Sequence, residues 1–291
     1  MPNIIEHPSL IEFLNLYFLT IISFFCAALI FTTLGKWQRM QCVQQAPWWL
    51  NCSIKTDIVY VIINPVVKIY MRLLPVAVII LPFLIFMKPM QIYSYLVNGY
   101  GPLGRLSSIS QCIIFVISVD FLSYWSHRIF HKKYLWPIHM IHHAPHDVDW
   151  TTAYRFHPLN LALGSWLVAS ILFMMGISPD NIIPATLLEA MMAYFVHSNL
   201  KITLGPFKYF VATPVFHRWH HTHVKEGGAS NYGAIFSFWD VVFGTFYFPK
   251  NRLPTKYGIE NCEIRENYVT QILYPFKKWY LDILEAYNSE K

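Results

Sequence analysis

Residues 10–34, LIEFLNLYFLTIISFFCAALIFTTL, form an almost unbroken apolar run, and this constrains the fold more than any other feature of the chain. At about 1.5 Å per residue a helix of that length crosses a hydrocarbon core of about 30 Å, and inside such a core the backbone must satisfy its own hydrogen bonds. The run therefore predicts a spanning helix. A second apolar stretch, 57–87, is broken by Pro65, Lys68, Arg72 and Pro75. It reads as one tilted, kinked span or as a surface helix followed by a span, and we prefer the kinked span. Residues 109–126 predict a third span, and 159–177 with 181–197 predict a helical hairpin turning through GISPDN. The expected fold is all-α: a membrane helix bundle of about four to five spans under a cytoplasmic, histidine-rich di-metal cap. Composition agrees, because 55% hydrophobic and only 13% charged residues are too charge-poor for an ordinary soluble domain.

The net charge is +6, yet no basic stretch is dense enough for nucleic acid, and the charges gather around apolar segments. Anionic lipid headgroups are the expected partner. Lys36, Arg39 and Lys55 flank the first loop, and Arg128, Lys132, Lys133 and Arg155 the central one, whereas the hairpin turn carries only Asp180. The positive-inside rule then puts the histidine clusters in the cytoplasm. Asn51-Cys52-Ser53 falls on the same side and is discounted as a glycosylation site. The N-terminal residues carry Glu6 and Glu12 in place of the basic start of a cleaved signal, so the first run reads as a retained anchor. Cysteines 26, 42, 52, 112 and 262 form no CxxC pair and read as buried or interfacial thiols.

Twelve of the thirteen histidines lie between residues 127 and 223. SHRIFH sets His127 and His131 four apart on one helical face; HMIHH supplies His139, His142 and His143, and HRWHH supplies His217, His220 and His221. A single such histidine is usually a cap or an interfacial side chain. Eight free imidazoles close together would leave donors unmet and repel on protonation, and divalent ions remove both problems by taking lone pairs from neutral rings. The zinc-hydrolase signature HExxH is absent, structural zinc usually recruits cysteine, and eight ligands exceed the need of one ion. Two ions are implied, and imidazole ligation with open positions suits iron. A histidine-rich transition-metal transporter is the alternative, but transporters set their ligands near mid-membrane and often in repeated halves, and no repeat is visible. An incidental cluster in a structural membrane protein is the third reading.

The order HxxxH, HxxHH, HxxHH, with DFLSYWSHRIFH, LWPIHMIHHAP, TTAYRFHPLN, HSNLKITLGPFKYFVATPVFHRWHH and NYGAIFSFWDVVFGTFY, resembles the fatty acid hydroxylase and sterol desaturase superfamily from about Asp120 to Tyr247. The resemblance implies a di-iron centre that activates dioxygen and removes hydrogen from a lipid, giving an alcohol or a double bond. It divides the chain into an N-terminal membrane region (1–108), a catalytic region (109–250) and a C-terminal cytoplasmic tail (251–291). It adds His197, in HSNL, as a ninth ligand, and points to His157 as a residue that orients a ligand. The segment His157-Pro158-Leu159-Asn160 lacks the glycines of a cytochrome b5 haem motif. Electrons are therefore expected from an external donor of cytochrome b5, ferredoxin or reductase type, and the substrate from the bilayer. A bacterial inner membrane and an endoplasmic reticulum both fit.

Two carboxylates fall within apolar spans, where a lone charge is costly. Asp120, seven residues before His127, either accepts an imidazole N–H or is an acid bonded to a neighbouring helix, and Glu189, eight before His197, repeats the choice less strongly. Asn231 either binds a metal-held water or fixes its loop. GYGPLG at 99–104 matches GxGxxG literally, but no strand leads into it and no βαβ unit follows, so it reads as a loop between spans.

Overall fold

A computed structural model describes residues 22–23, 25–34, 50, 53–177, 183–260 and 264–289. Residues 10–21 of the first apolar run, most of the hairpin turn with Asp180, Asn51-Cys52, Lys36, Arg39, His7 and cysteines 42, 52 and 262 lie outside the described residues.

The described residues are helical, with one isolated bridge between Thr222 and Tyr257. In chain order the helices are α1 (Phe25–Leu34), α2 (Ile54–Phe86), α3 (Pro89–Asn98), α4 (Gly101–Gly104), α5 (Ser108–Phe130), α6 (Trp136–His143), α7 (Pro158–Met175), α8 (Ile183–His197), α9 (Pro214–His220), α10 (Phe238–Val242) and α11 (Tyr268–Ser289). Among the described residues α5 alone is long and apolar enough to cross a bilayer. The run 57–87 belongs to one continuous helix, α2, in spite of Pro65 and Pro75.

α2 packs along α7, α5 touches α7 and α8, α8 packs on α9 and on the 3-10 turn Trp150–Tyr154, and α11 packs on α6. The apolar core between α5 and α8 joins Phe115, Val116 and Val119 to Ile177, Ala185 and Ile235. A second cluster ties α2 to α6 through Tyr60, Met140, Ile141 and Ile264.

GYGPLG makes the short helix α4 rather than a nucleotide loop. Gly176, just past α7 at φ +65°, accepts the Tyr100 N–H on its carbonyl at 2.8 Å, and a Cβ there would stand 2.3 Å from Tyr100 O. A Cβ on Gly104 would meet Gly176 O at 2.9 Å, so these glycines serve the close approach of two backbones.

A buried ion pair locks the entrance of α2 to the centre of the chain. The Arg155 guanidinium donates to Asp57 Oδ1 from Nε at 2.8 Å and to Glu266 Oε2 from Nη1 at 2.9 Å, and Thr151 Oγ1 donates to Asp57 Oδ2 at 2.6 Å. Arg155, counted above among the loop charges, is fully buried and neutralised. It contributes nothing to topology.

Candidate metal centre

Local sequence places each histidine. α5 opens on Ser107, whose Oγ accepts the Ser110 N–H at 3.2 Å, and closes on His131, so His127 and His131 emerge together from its last turn. α6 and α9 are short and each carries a proline in its first turn, Pro137 and Pro214, at a position whose N–H would have no helical acceptor anyway. Thr213 caps α9 by accepting the Phe216 N–H at 3.2 Å. His197 ends α8.

All nine histidines singled out from the sequence come together, in two groups whose ligand atoms lie within 4.8 Å of one another. One holds His127, His131, His139, His143 and His220; the other holds His142, His197, His217 and His221. The two HxxHH motifs are used in crossed fashion. α6 gives its i, i+4 pair to the first group and His142 to the second; α9 gives its i, i+4 pair to the second and His220 to the first. Adjacent side chains on a helix diverge by about 100°, whereas those four apart diverge by about 40°, so one short helix serves two centres.

The hydrogen bonds decide which ring nitrogen carries the lone pair. A carbonyl oxygen only accepts, so a ring nitrogen facing one must carry the proton. His127 Nδ1–H donates to Tyr232 O at 2.9 Å, His139 Nδ1–H to Asn160 Oδ1 at 2.9 Å, His142 Nδ1–H to Arg155 O at 3.1 Å, His197 Nδ1–H to Ala193 O at 2.7 Å and His220 Nδ1–H to Ser230 O at 2.6 Å. Each of these rings turns a bare Nε2 inward. His142 Nε2 and His197 Nε2 then face each other at 3.2 Å with no proton between them. His197 Nε2 is also 3.1 Å from His217 Nε2 and 3.2 Å from His221 Nε2, and in the other group His139 and His143 bring their Nε2 atoms to 3.3 Å. Nε2 of His127, His131 and His220 is buried without a hydrogen-bond partner.

Converging lone pairs with no proton repel unless a cation sits among them. With metal–nitrogen bonds of about 2.1 Å, neighbouring ligand nitrogens stand about 3.0 Å apart in an octahedron and about 3.4 Å apart in a tetrahedron. The separations of 3.1–3.3 Å fall in that range. Burial first, and neighbouring imidazoles second, hold His142, His143, His217 and His221 well below the ordinary histidine range, so the rings are neutral as metal binding requires. The donor set fits two metal ions.

The residues expected to support these ligands are placed differently. Asp120 accepts no imidazole: its carboxylate takes the Ile235 N–H at 2.8 Å, the Phe236 N–H at 3.0 Å and Trp239 Nε1–H at 2.9 Å, and so ties α5 to the loop before α10. Seven residues on, His127 finds a backbone carbonyl instead. Both ring nitrogens of His157 are engaged with the backbone, Nε2–H donating to Ile272 O at 3.0 Å and Nδ1 accepting from Leu159 N at 3.1 Å. It joins α11 to the start of α7 and bonds no ligand. Asn231, at φ 60°, donates to Phe216 O and Tyr247 O and accepts from Tyr247 N, which is the loop-fixing alternative. Glu189 lines a cavity beside the histidines.

Two supports were missed. Asn160 holds His139, and its one signal was a polar residue in the first turn of an apolar helix. Arg155 presents its carbonyl to His142, while Asn64 of α2 donates to the flanking carbonyls of Tyr154 and Phe156 at 2.7 and 2.9 Å. Backbone carbonyls leave no mark in a sequence.

A mainly apolar cavity of about 210 Å³ lies between α5, α7 and α8, with Ser123, Gly164, Met192 and Val196 in its wall and His127, His139, His142, His197 and His217 bordering it. The Phe156 ring stacks on His142 at 4.2 Å beside it.

Residues 112–245 match the fatty acid hydroxylase family. Ornithine lipid hydroxylase OlsE of Rhizobium tropici is 27% identical over 58% of this chain and 51% of its own length. The alkylglycerol monooxygenase of Homo sapiens is 31% identical over 45% of this chain and 29% of its own, and methylsterol monooxygenase 1-1 of Arabidopsis thaliana 29% identical over 56% and 58%. The chain thus spans between about a third and just over half the length of these relatives. No solved structure matches it significantly. The match of residues 112–245 takes in all nine clustered histidines, and these relatives, named as lipid hydroxylases and monooxygenases, support the fatty acid hydroxylase and sterol desaturase superfamily for this stretch of the chain.

Proposed function

We propose that the chain is a membrane-bound, non-haem di-iron oxygenase that hydroxylates a bilayer lipid. The observation that carries the reading is the pair of histidine groups with inward lone pairs bordering an apolar cavity. Two iron ions bound there would supply the activation of dioxygen and the removal of hydrogen from an unactivated C–H bond. The protein's own part is positioning. Carbonyls of Tyr232, Arg155, Ala193 and Ser230, with Asn160 Oδ1, hold five rings in the tautomer that presents Nε2. The apolar walls exclude water and receive a lipid chain, so the carbon to be oxidised is set by where the chain stops against the histidines.

Multi-pass topology with the histidines at the cytoplasmic face belongs to this reading, supported by the apolar length of α5 and the flanking charges. Electrons come from a separate donor of cytochrome b5, ferredoxin or reductase type. Relatives described as hydroxylase or monooxygenase favour oxygen insertion over desaturation. A metal transporter gains no support, because among the described residues no further metal-binding cluster leads away from the two groups.

Untargeted lipid analysis of cells carrying wild-type or His142→Ala protein under labelled dioxygen tests the reading. A labelled hydroxyl on a lipid, present only with the wild type, is expected. An unlabelled new double bond would convert the assignment to desaturation, and identical lipids with an iron-loaded wild type would refute it.

A further inference from the structure

The C-terminal residues 251–291 read as a simple tail in the sequence, but α11 has two distinct faces. One face packs. Tyr268 and Ile272 join the cluster around Met140 and Ile141, Gln271 and Pro275 are buried, and Trp279 Nε1–H donates to Tyr134 O at 3.0 Å. The other face is exposed. Val269, Leu273, Phe276, Tyr280, Ile283 and Tyr287 follow one another at spacings of three or four residues, so they form one stripe along the helix, and each is between 51% and 67% exposed. Charged residues keep off it: Lys278 pairs with Asp282 on another side, and Glu285 lies opposite. Scattered apolar residues on a surface are ordinary, but an apolar stripe the length of a 22-residue helix is not.

The place of α11 says what covers it. α5 ends at Phe130, and Lys132, Lys133 and Tyr134 follow, all exposed. A spanning helix leaves the hydrocarbon at such a point, where lysine and tyrosine mark the headgroup level. The bond from Trp279 to Tyr134 ties the middle of α11 to that level, and Lys277, also exposed, borders the stripe.

We propose that α11 is an interfacial helix. It lies in the plane of the bilayer with its stripe about 5–10 Å into the boundary of headgroups and acyl chains, and with Lys132, Lys133 and Lys277 among anionic headgroups. Because α11 packs on α6, this contact sets the height of His139, His142 and His143 above the membrane, and with it the length of lipid chain that enters the cavity. The proposal rests on the reading of α5 as a membrane span.

Spin labels test it in the full chain, with its five native cysteines replaced by serine, in phosphatidylcholine vesicles containing phosphatidylglycerol. Labels go at Leu273→Cys, Ile283→Cys, Glu285→Cys and, on the exposed side of α5, Ile117→Cys. Collision with oxygen, which concentrates in lipid, is compared with collision with a water-soluble nickel complex. Positions 117, 273 and 283 are expected to favour oxygen, and 285 the nickel complex. If 273 and 283 behave like 285 while 117 stays in lipid, α11 is off the membrane and the proposal falls alone. If 117 is also wet, the spanning reading fails and takes the proposal with it. Spin–spin broadening at 273 and 283 would mean that a second copy covers the stripe, which also overturns it.

Discussion

Replacing Asn160 by alanine should weaken metal binding at the five-histidine group and spare the four-histidine group. Asn160 Oδ1 accepts His139 Nδ1–H at 2.9 Å between two buried side chains. Without that acceptor the ring N–H is left in a poorly hydrated place, at a cost of about 1–3 kcal/mol. At about 1.4 kcal/mol per factor of ten this is about a 5- to 150-fold loss of affinity. Partners of metal-bound histidines elsewhere are worth about 10–100-fold. We therefore expect a 10- to 100-fold shift. The assay is extraction of the iron-loaded, purified protein by graded chelator, with metal counted by mass spectrometry. Wild type should release metal in two phases. Asn160→Ala should move one phase, His197→Ala should abolish the other, and Asn160→Asp, which keeps an acceptor, should restore most of the loss. Unchanged extraction from Asn160→Ala, or a shift in the phase that His197→Ala removes, would refute the assignment of His139 and Asn160 to one centre.

Asp57→Ala leaves Arg155 buried with only the partly exposed Glu266 as a counter-ion, and should cost about 3–5 kcal/mol, read as a lower thermal midpoint in detergent. A cost under about 1 kcal/mol would show that Glu266 alone suffices. Gly176→Ala forces a side chain into a left-handed residue against Tyr100 O and should destabilise the chain, whereas Gly164→Ala, inside α7 with open space around it in the cavity wall, should hold or slightly raise the thermal midpoint and shift the preferred lipid chain length. Acid should destabilise the metal-free protein. The α6 and α9 histidines have folded pKa values below the unfolded value of about 6.5, so the unfolded state binds more protons and stability is lost as pH falls through about 6.5. A thermal midpoint that holds or rises from pH 7.5 to 5.5 would contradict this.

Much of the scaffold was legible because its signals are local. Apolar length marked α5, and spacings of three and four aligned the histidines on their helices. The amphipathic α11 was legible in principle, since its stripe repeats at helical spacing, but its charge-rich sequence does not stand out beside the spans. Asp120 shows the limit of reasoning from spacing. Seven residues put it on the His127 side of α5, yet three N–H donors from the 235–239 segment, more than a hundred residues away, claimed its oxygens.

Sequence alone aligned the eight histidines of the three motifs in sets on their helices, because a helix sets the direction of each side chain from its neighbours, and the family resemblance added His197. Only the tertiary structure decided how they divide. His142 and His143 are adjacent in the chain, but α8 and α9 meet the first and α5 meets the second, so the two go to different centres. Whether Nδ1 or Nε2 faces inward was likewise decided by which carbonyl the fold sets behind each ring. Both are matters of which distant backbone comes near, and no local pattern encodes that.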